Sequence, residues 1–160
     1  MSKLLQILSE NAEFTVDELA SITGMAISDV EKEISKLKED GIIKGYQAIV
    51  DWSKVENSDT TAFIELKVTP QKDKGFDEIA SILAEYKEVS DIYLMAGSYD
   101  LLLTVKGKTI NDISNFVARK IATMDGIVST STHFQLNVYK EKGVVILEDE
   151  SNKDFREQVL

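Results

Sequence analysis

The 160-residue chain is 43% hydrophobic and 29% charged, with net charge −10 and a sequence pI near 4.6. That length fits one domain or two small ones, and no run of about 18 apolar residues exists to span a membrane. The chain has no cysteine, which excludes a disulfide, a thiolate nucleophile and a zinc ribbon, and Met1-Ser-Lys-Leu-Leu-Gln6 lacks a secretory core, so a cytoplasmic protein is expected.

Leu4, Leu5, Ile7 and Leu8 begin an amphipathic helix that ends near Asn11. Thr15 to Gly41 then reads as a short helix, a tight turn at Gly24 and a longer helix stopped by Gly41. A hydroxyl followed three residues later by Glu predicts a capping box at each start, Thr15 with Glu18 and Ser28 with Glu31. Leu19, Ala20 and Ile22 are expected to face inward from the first helix, and Val30, Ile34 and Leu37 from the second. Two short helices joined in this way form a helix-turn-helix, whose second helix can enter a DNA major groove. After Gly41, Ile42 to Val50 is β-branched and aromatic enough to predict a strand. It has no evident partner in its own small head.

Asp51 to Thr60 is polar and aperiodic, the candidate linker, where Trp52 is expected to pack at the boundary. Beyond it the period alternates. Ala62, Ile64, Leu66 and Val68 mark a strand ending at Pro70, and Ile79, Ile82, Leu83 and Tyr86 fall at helical spacing. Val89 to Ala96 and Leu101 to Lys106 read as strands joined by a hairpin turn at Gly97-Ser98-Tyr99-Asp100. Thr109 to Ala122 is a second helix with Ile113, Phe116, Val117 and Ile121 inward, and Ile127 to Tyr139 a long last strand. The fold class is therefore α+β: a three-helix winged helix-turn-helix head followed by a ferredoxin-like βαββαβ domain. The expected boundaries are 1–50 for the head with its linking strand, 51–60 for the linker, 61–142 for the ferredoxin-like domain, and 143–160 for a C-terminal extension. In that extension, Gly143 to Leu147 suggests a further strand and Glu148 to Glu150 a solvated charge run.

The acidic balance extends into the head, where residues 1–55 carry six Lys against ten Asp or Glu. Nucleic-acid affinity comes largely from Lys and Arg on phosphates, but placement matters more than the sum. At about 100° per residue, Val30, Ile34 and Leu37 define the buried stripe of the second helix. The opposite face carries Ser28, Lys32, Ser35 and Glu39, with Asp29 and Lys36 beside them and Glu31 and Glu33 on the flanks. Ser28, Lys32, Ser35 and Lys36 are thus the candidate DNA contacts, with Lys38 and Lys44 as weaker phosphate candidates.

This order and several local motifs resemble the Lrp/AsnC (feast/famine) regulators of prokaryotes. The resembling residues are Leu4-Leu-Gln-Ile-Leu-Ser-Glu-Asn11, Glu18-Leu-Ala20, Asp40-Gly-Ile-Ile-Lys-Gly-Tyr-Gln-Ala-Ile-Val-Asp51, Gly97-Ser-Tyr-Asp100 and Gly126-Ile-Val-Ser-Thr-Ser-Thr132. The resemblance implies a head that binds double-stranded DNA and a second domain that takes a small effector, commonly an amino acid. It also implies homodimers assembling further, often to octamers. One departure stands out: family members usually carry several Arg in the second helix of the motif, and here it has none. The whole chain has only Arg119 and Arg156, so guanine reading by Arg is absent from that helix.

In the resembling family the turn matching Gly97 to Asp100 borders the effector pocket at a subunit interface. Glycine would let a ligand reach bare backbone N–H groups, and Asp100 would pair with an α-ammonium. Hairpin chemistry alone also explains both residues. Thr130 and Thr132 share the expected strand face of Val128, Phe134, Leu136 and Val138, where hydroxyls suit a ligand carboxylate; β-propensity explains them equally. His133, the single histidine, is expected on the polar face in a surface or interface role. No metal or cofactor is expected. Three functions compete: a transcriptional regulator responding to an amino acid or related effector, a siroheme-decarboxylase-like enzyme subunit, and a sensor that has lost DNA binding. A polycarboxylate tetrapyrrole would call for several cationic anchors and histidines. One His and two Arg equip the chain poorly for that, so no enzyme activity is expected.

Overall fold

A computed structural model describes residues 2–70 and 75–146. The chain divides into two units, Met1–Ala48 and Ile49–Leu160.

The first unit holds α1 (Lys3–Glu10), α2 (Val16–Thr23) and α3 (Ile27–Glu39). Leu4, Leu8, Leu19, Ala20 and Val30 form its core, with Phe14, Met25, Ile34 and Ile43 packed around them. The Thr15–Glu18 capping box forms as expected, satisfying donors that would otherwise be orphaned at the start of α2. The backbone N–H and then the hydroxyl of Thr15 hold the Glu18 carboxyl below its ordinary range. Gly24 ends α2 at φ +76°, and Gly41 follows α3 at φ +67°. There the Ile42 N–H donates to the Leu37 carbonyl (2.9 Å) and the Gly41 N–H to that of Lys38 (3.0 Å), a Schellman turn.

Three expectations for this unit fail. The Ser28–Glu31 box does not form, because Ala26 takes the extended cap conformation and α3 starts at Ile27; Ser28 is already inside the first turn. Ile22 is 43% exposed instead of inward. Residues 42–50 form no strand. Strand propensity expresses fit to a pleated, half-buried surface, and here Ile42, Tyr46 and Ile49 stay exposed.

The second unit opens with a short 3-10 turn, Trp52–Lys54. Asp51 caps it, and its carboxyl is held low chiefly by the Ser53 hydroxyl. A four-stranded antiparallel sheet follows, built from β1 (Thr60–Val68), β2 (Val89–Leu94), β3 (Leu101–Gly107) and β4 (Ile127–Phe134) in the order β2-β3-β1-β4. With α4 (Asp77–Ala84) after β1 and α5 (Ile110–Phe116) after β3, this is the ferredoxin-like arrangement expected. Ala62, Ile64 and Leu66 of β1 and Leu101, Leu103 and Val105 of β3 bury one sheet face against Ile79, Leu83, Ile113 and Ile121 from the helical segments. Phe63, Glu65 and Lys67 take the other face, beside Leu102, Thr104, Ser131 and His133.

Several boundaries differ from expectation. Phe116 ends α5, and the chain continues as a π-helical turn, Val117–Ile121, closed by the Ala122 N–H on the Val117 carbonyl. Both Val117 and Ile121 are buried, as expected of the inward face. Ile82 is exposed, and Tyr86 lies beyond α4, edge-on to Phe116 at 5.3 Å. The last strand stops at Phe134 because β1, its partner, starts near there; the Gln135 N–H on the Thr61 carbonyl is the final bond, and Leu136 is 97% exposed. A register shift between Lys67 and Val68 leaves Val128 bulged out of the ladder, so it does not share the face of Thr130 and Thr132. Past the sheet, Lys140–Glu141 and Val144–Val145 make a small hairpin around Lys142 and Gly143, both at positive φ. Leu147 and the run Glu148 to Glu150 lie outside the described residues.

Two glycines predict opposite outcomes. A Cβ at Gly126 (φ +89°) would sit 2.8 Å from the Ile79 Cδ1, whereas Gly97 has ordinary φ and open space. Gly126→Ala should cost more than about 1 kcal/mol in thermal unfolding, and Gly97→Ala should stay within about 0.5 kcal/mol of the parent.

Candidate functional site

On α3, Val30 and Leu37 are buried and Ile34 half-buried, while Ser28, Lys32, Ser35 and Lys36 are all exposed. The helix therefore turns the expected face outward. Lys32 and Lys36 form no ion pair among the described residues and share a groove with Asp29, Glu33 and Asp40. Glu33 is half-buried and accepts from the Ser2 hydroxyl, so its charge is turned toward α1. Lys38 sits with its Nζ 5.3 Å from the centre of the Tyr46 ring, a cation–π contact that spacing alone did not reveal. Lys44 is exposed just past the Schellman turn.

In the second unit, Gly97, Ser98, Tyr99 and Asp100 lie in a loop from Met95 to Asp100, longer than the tight hairpin expected. The loop is closed by the Met95 N–H on the Asp100 carbonyl (2.8 Å). Asp100 does more than turn the chain. Its N–H donates to the Leu66 carbonyl (2.9 Å), and its Oδ2 accepts from the Val68 N–H (2.8 Å). Where the β3 ladder runs out, this side chain supplies the acceptor that the end of β1 lacks. Gly97 needs neither positive φ nor room within the chain, so local geometry gives no reason for glycine there.

Thr130 and Thr132 pair with Leu66 and Ile64, which puts them on the helix-covered face of edge strand β4. Both are half-buried, and neither hydroxyl makes a hydrogen bond among the described residues. Leu66 meets Asp100 on one side and Thr130 on the other, so a single strand separates the loop from the first hydroxyl. His133 lies on the open face, with Nε2 3.4 Å from the Glu65 Oε1 and 3.2 Å from the Ser131 Oγ. Trp52 is half-exposed and lines a cavity of about 280 Å³ with residues of the 58–61 and 135–138 segments.

Comparison with known proteins follows this division. Residues 2–44 match a winged helix-turn-helix DNA-binding model, and residues 61–145, over half the chain, match the Lrp/AsnC ligand binding domain. The chain belongs to the Lrp/AsnC family. This Lrp/AsnC protein is 38% identical over 153 residues to the uncharacterized HTH-type transcriptional regulator YugG of Bacillus subtilis, covering 95% of this chain and 92% of that one. Among solved structures it is similar to the transcriptional regulator NMB0573/L-Met complex from Neisseria meningitidis (25% identity, TM-score 0.70, 91% and 96% of the two chains covered). It also resembles AsnC of E. coli (27% identity, TM-score 0.66, 86% and 91% covered). It is accordingly a DNA-binding regulator of the Lrp/AsnC type with a ligand-binding C-terminal domain. Among the described residues no helix is long and apolar enough to cross a membrane.

The bond to Val68 sets the behaviour of Asp100 variants. Asp100→Ala leaves a β1 N–H without its acceptor and should lower unliganded stability by about 1–3 kcal/mol. Asp100→Asn keeps a carbonyl acceptor and should recover most of that loss in a thermal melt.

Proposed function

We propose that this regulator reads DNA through Ser28, Lys32, Ser35 and Lys36 of α3, with Lys38 and Lys44 as secondary phosphate contacts. The observation that carries the reading is the outward centre of α3, where exposed Ser and Lys stand opposite buried Val30 and Leu37. The contact between Lys38 and Tyr46 supports its secondary rank, since that ammonium already has a partner. Few cations per head imply modest affinity, made up by several heads on one DNA.

The effector proposed is an amino acid, held by the loop Gly97–Asp100 with Thr130 and Thr132. Three features support it: a glycine at 97 that local geometry does not require, the hydroxyls of Thr130 and Thr132 on the neighbouring β4, which make no hydrogen bond among the described residues, and the L-Met of the Neisseria meningitidis regulator complex. One Asp100 oxygen is bound to the Val68 N–H, which leaves the other for an α-ammonium. The proposed assembly is a cytoplasmic homodimer associating further, as to an octamer. Its support is the open sheet face with exposed Phe63 and Tyr93, together with the exposed Ile42, Tyr46 and Ile49. Exposed apolar patches of this kind mark interaction surfaces.

Light scattering should give dimers or multiples of them at micromolar concentration; a stable monomer would overturn the assembly. In a thermal-shift screen of amino acids, at least one should stabilise the protein, and Asp100→Asn should reduce that shift. On DNA, Lys36→Ala should flatten the salt slope by about 2 if each of two heads loses one phosphate contact, at about 0.9 per contact. Reversing Lys32 to Glu should cost more affinity than reversing Glu31 to Lys. Equal losses, or no specific binding at low salt, would mean that α3 is not used this way.

A further inference from the structure

The outward surface of α3 is polar along most of its length, with Ser28, Lys32, Ser35 and Glu39 all exposed. The core-facing side is left open at the leading end: Ile27, seven residues before Ile34 and so on the same side of the helix, is 48% exposed and is absent from the residues packed on the head's core. Beside it, Ala26 is exposed and caps the helix with a methyl group that makes no hydrogen bond. The Cα–Cβ bonds of a helix tilt toward its N-terminus, so a first-residue side chain projects beyond the leading end of the helix. In a helix-turn-helix, the N-terminal residues of the second helix are those that contact base edges.

We propose that Ile27, with Ala26 beside it, reads a thymine methyl group in the major groove, making thymine a fixed requirement of each half-site. This rests on the reading of α3 as the DNA-contacting helix. The C5-methyl of thymine is the apolar group that the major-groove edges of the four bases offer, and everything else there is a donor or acceptor. A half-exposed isoleucine has nothing to gain from a G·C edge and loses water from its own surface against a methyl. Lys32 and Ser28 remain available for polar edges further along, so the two kinds of contact occupy different positions of the site.

The test starts from duplex sites selected out of a randomised pool with the full-length protein. Each thymine is then replaced by uracil, which removes the methyl and leaves pairing and hydrogen-bond pattern intact. One position per half-site should lose about fourfold in affinity per methyl removed, the worth of one buried methyl group. Ile27→Ala should bind thymine and uracil sites equally at that position, and Ile27→Thr, which keeps a methyl, should restore part of the difference. The proposal is overturned if no thymine is sensitive, or if the thymine–uracil difference survives unchanged in Ile27→Ala. Either result with sequence-specific binding intact leaves the α3 reading standing. Failure of the parent protein to select any sequence sinks both.

Discussion

Strand β1 is paired on both edges, to β3 along Thr60–Leu66 and to β4 along Ala62–Val68, and much of the second unit follows from that. A strand held on two sides cannot slip by one residue without turning its whole apolar row to the other face. Ala62, Ile64 and Leu66 have no exposure at all, so the register is fixed by burial as well as by hydrogen bonds. The residues facing them across both ladders inherit their direction. Leu101, Leu103 and Val105 join the core, and Thr130, Thr132 and Phe134 are set on the same side. The opposite face is left to Phe63, Glu65 and Lys67 and their neighbours, with no layer over it among the described residues of this unit. A sheet covered on one face and open on the other is the physical basis for the association proposed above.

The head obeys a different constraint. It is small, so its stability depends on closing helix ends well and on five core side chains that interlock. Ser2 and Thr15 close α1 and α2, and the Schellman turn closes α3. The start of α3 is the exception, capped by Ala26 without a side-chain bond. Within this acidic chain the charges of α3 are sorted by face. Glu33 is drawn toward Ser2, Glu31 lies toward a flank, and Lys32 and Lys36 carry no ion pair among the described residues.

Much of this was legible in the sequence because hydrophobic period and punctuation agreed. The alternation in Ala62–Val68, the Thr15 box and the glycines at 24 and 41 each have one local meaning, and the structure gives them that meaning. Expectations failed where the outcome depends on a partner that spacing does not show. Residues 42–50 have strand composition, yet strand composition makes no strand without a ladder. Ile127 to Tyr139 reads as a single run, yet β4 ends where β1 begins, and the bulge at Val128 turns that residue away from the row it was assigned. Asp100 was legible as a turn residue or a ligand contact, but its bond to Val68 spans 32 positions and leaves no trace in local pattern.

That bond has a kinetic consequence. The amides of Ile64 and Leu66 lie inside the sheet, so their exchange with solvent follows openings large enough to break the core. The Val68 amide is closed by a loop side chain instead of by a strand, and its exchange follows the loop. Two amides four residues apart on one strand thus keep separate clocks, one timing the whole domain and the other only the Met95–Asp100 segment. A site-resolved exchange measurement on Val68 therefore watches the loop from inside the sheet, with no probe attached to the loop itself.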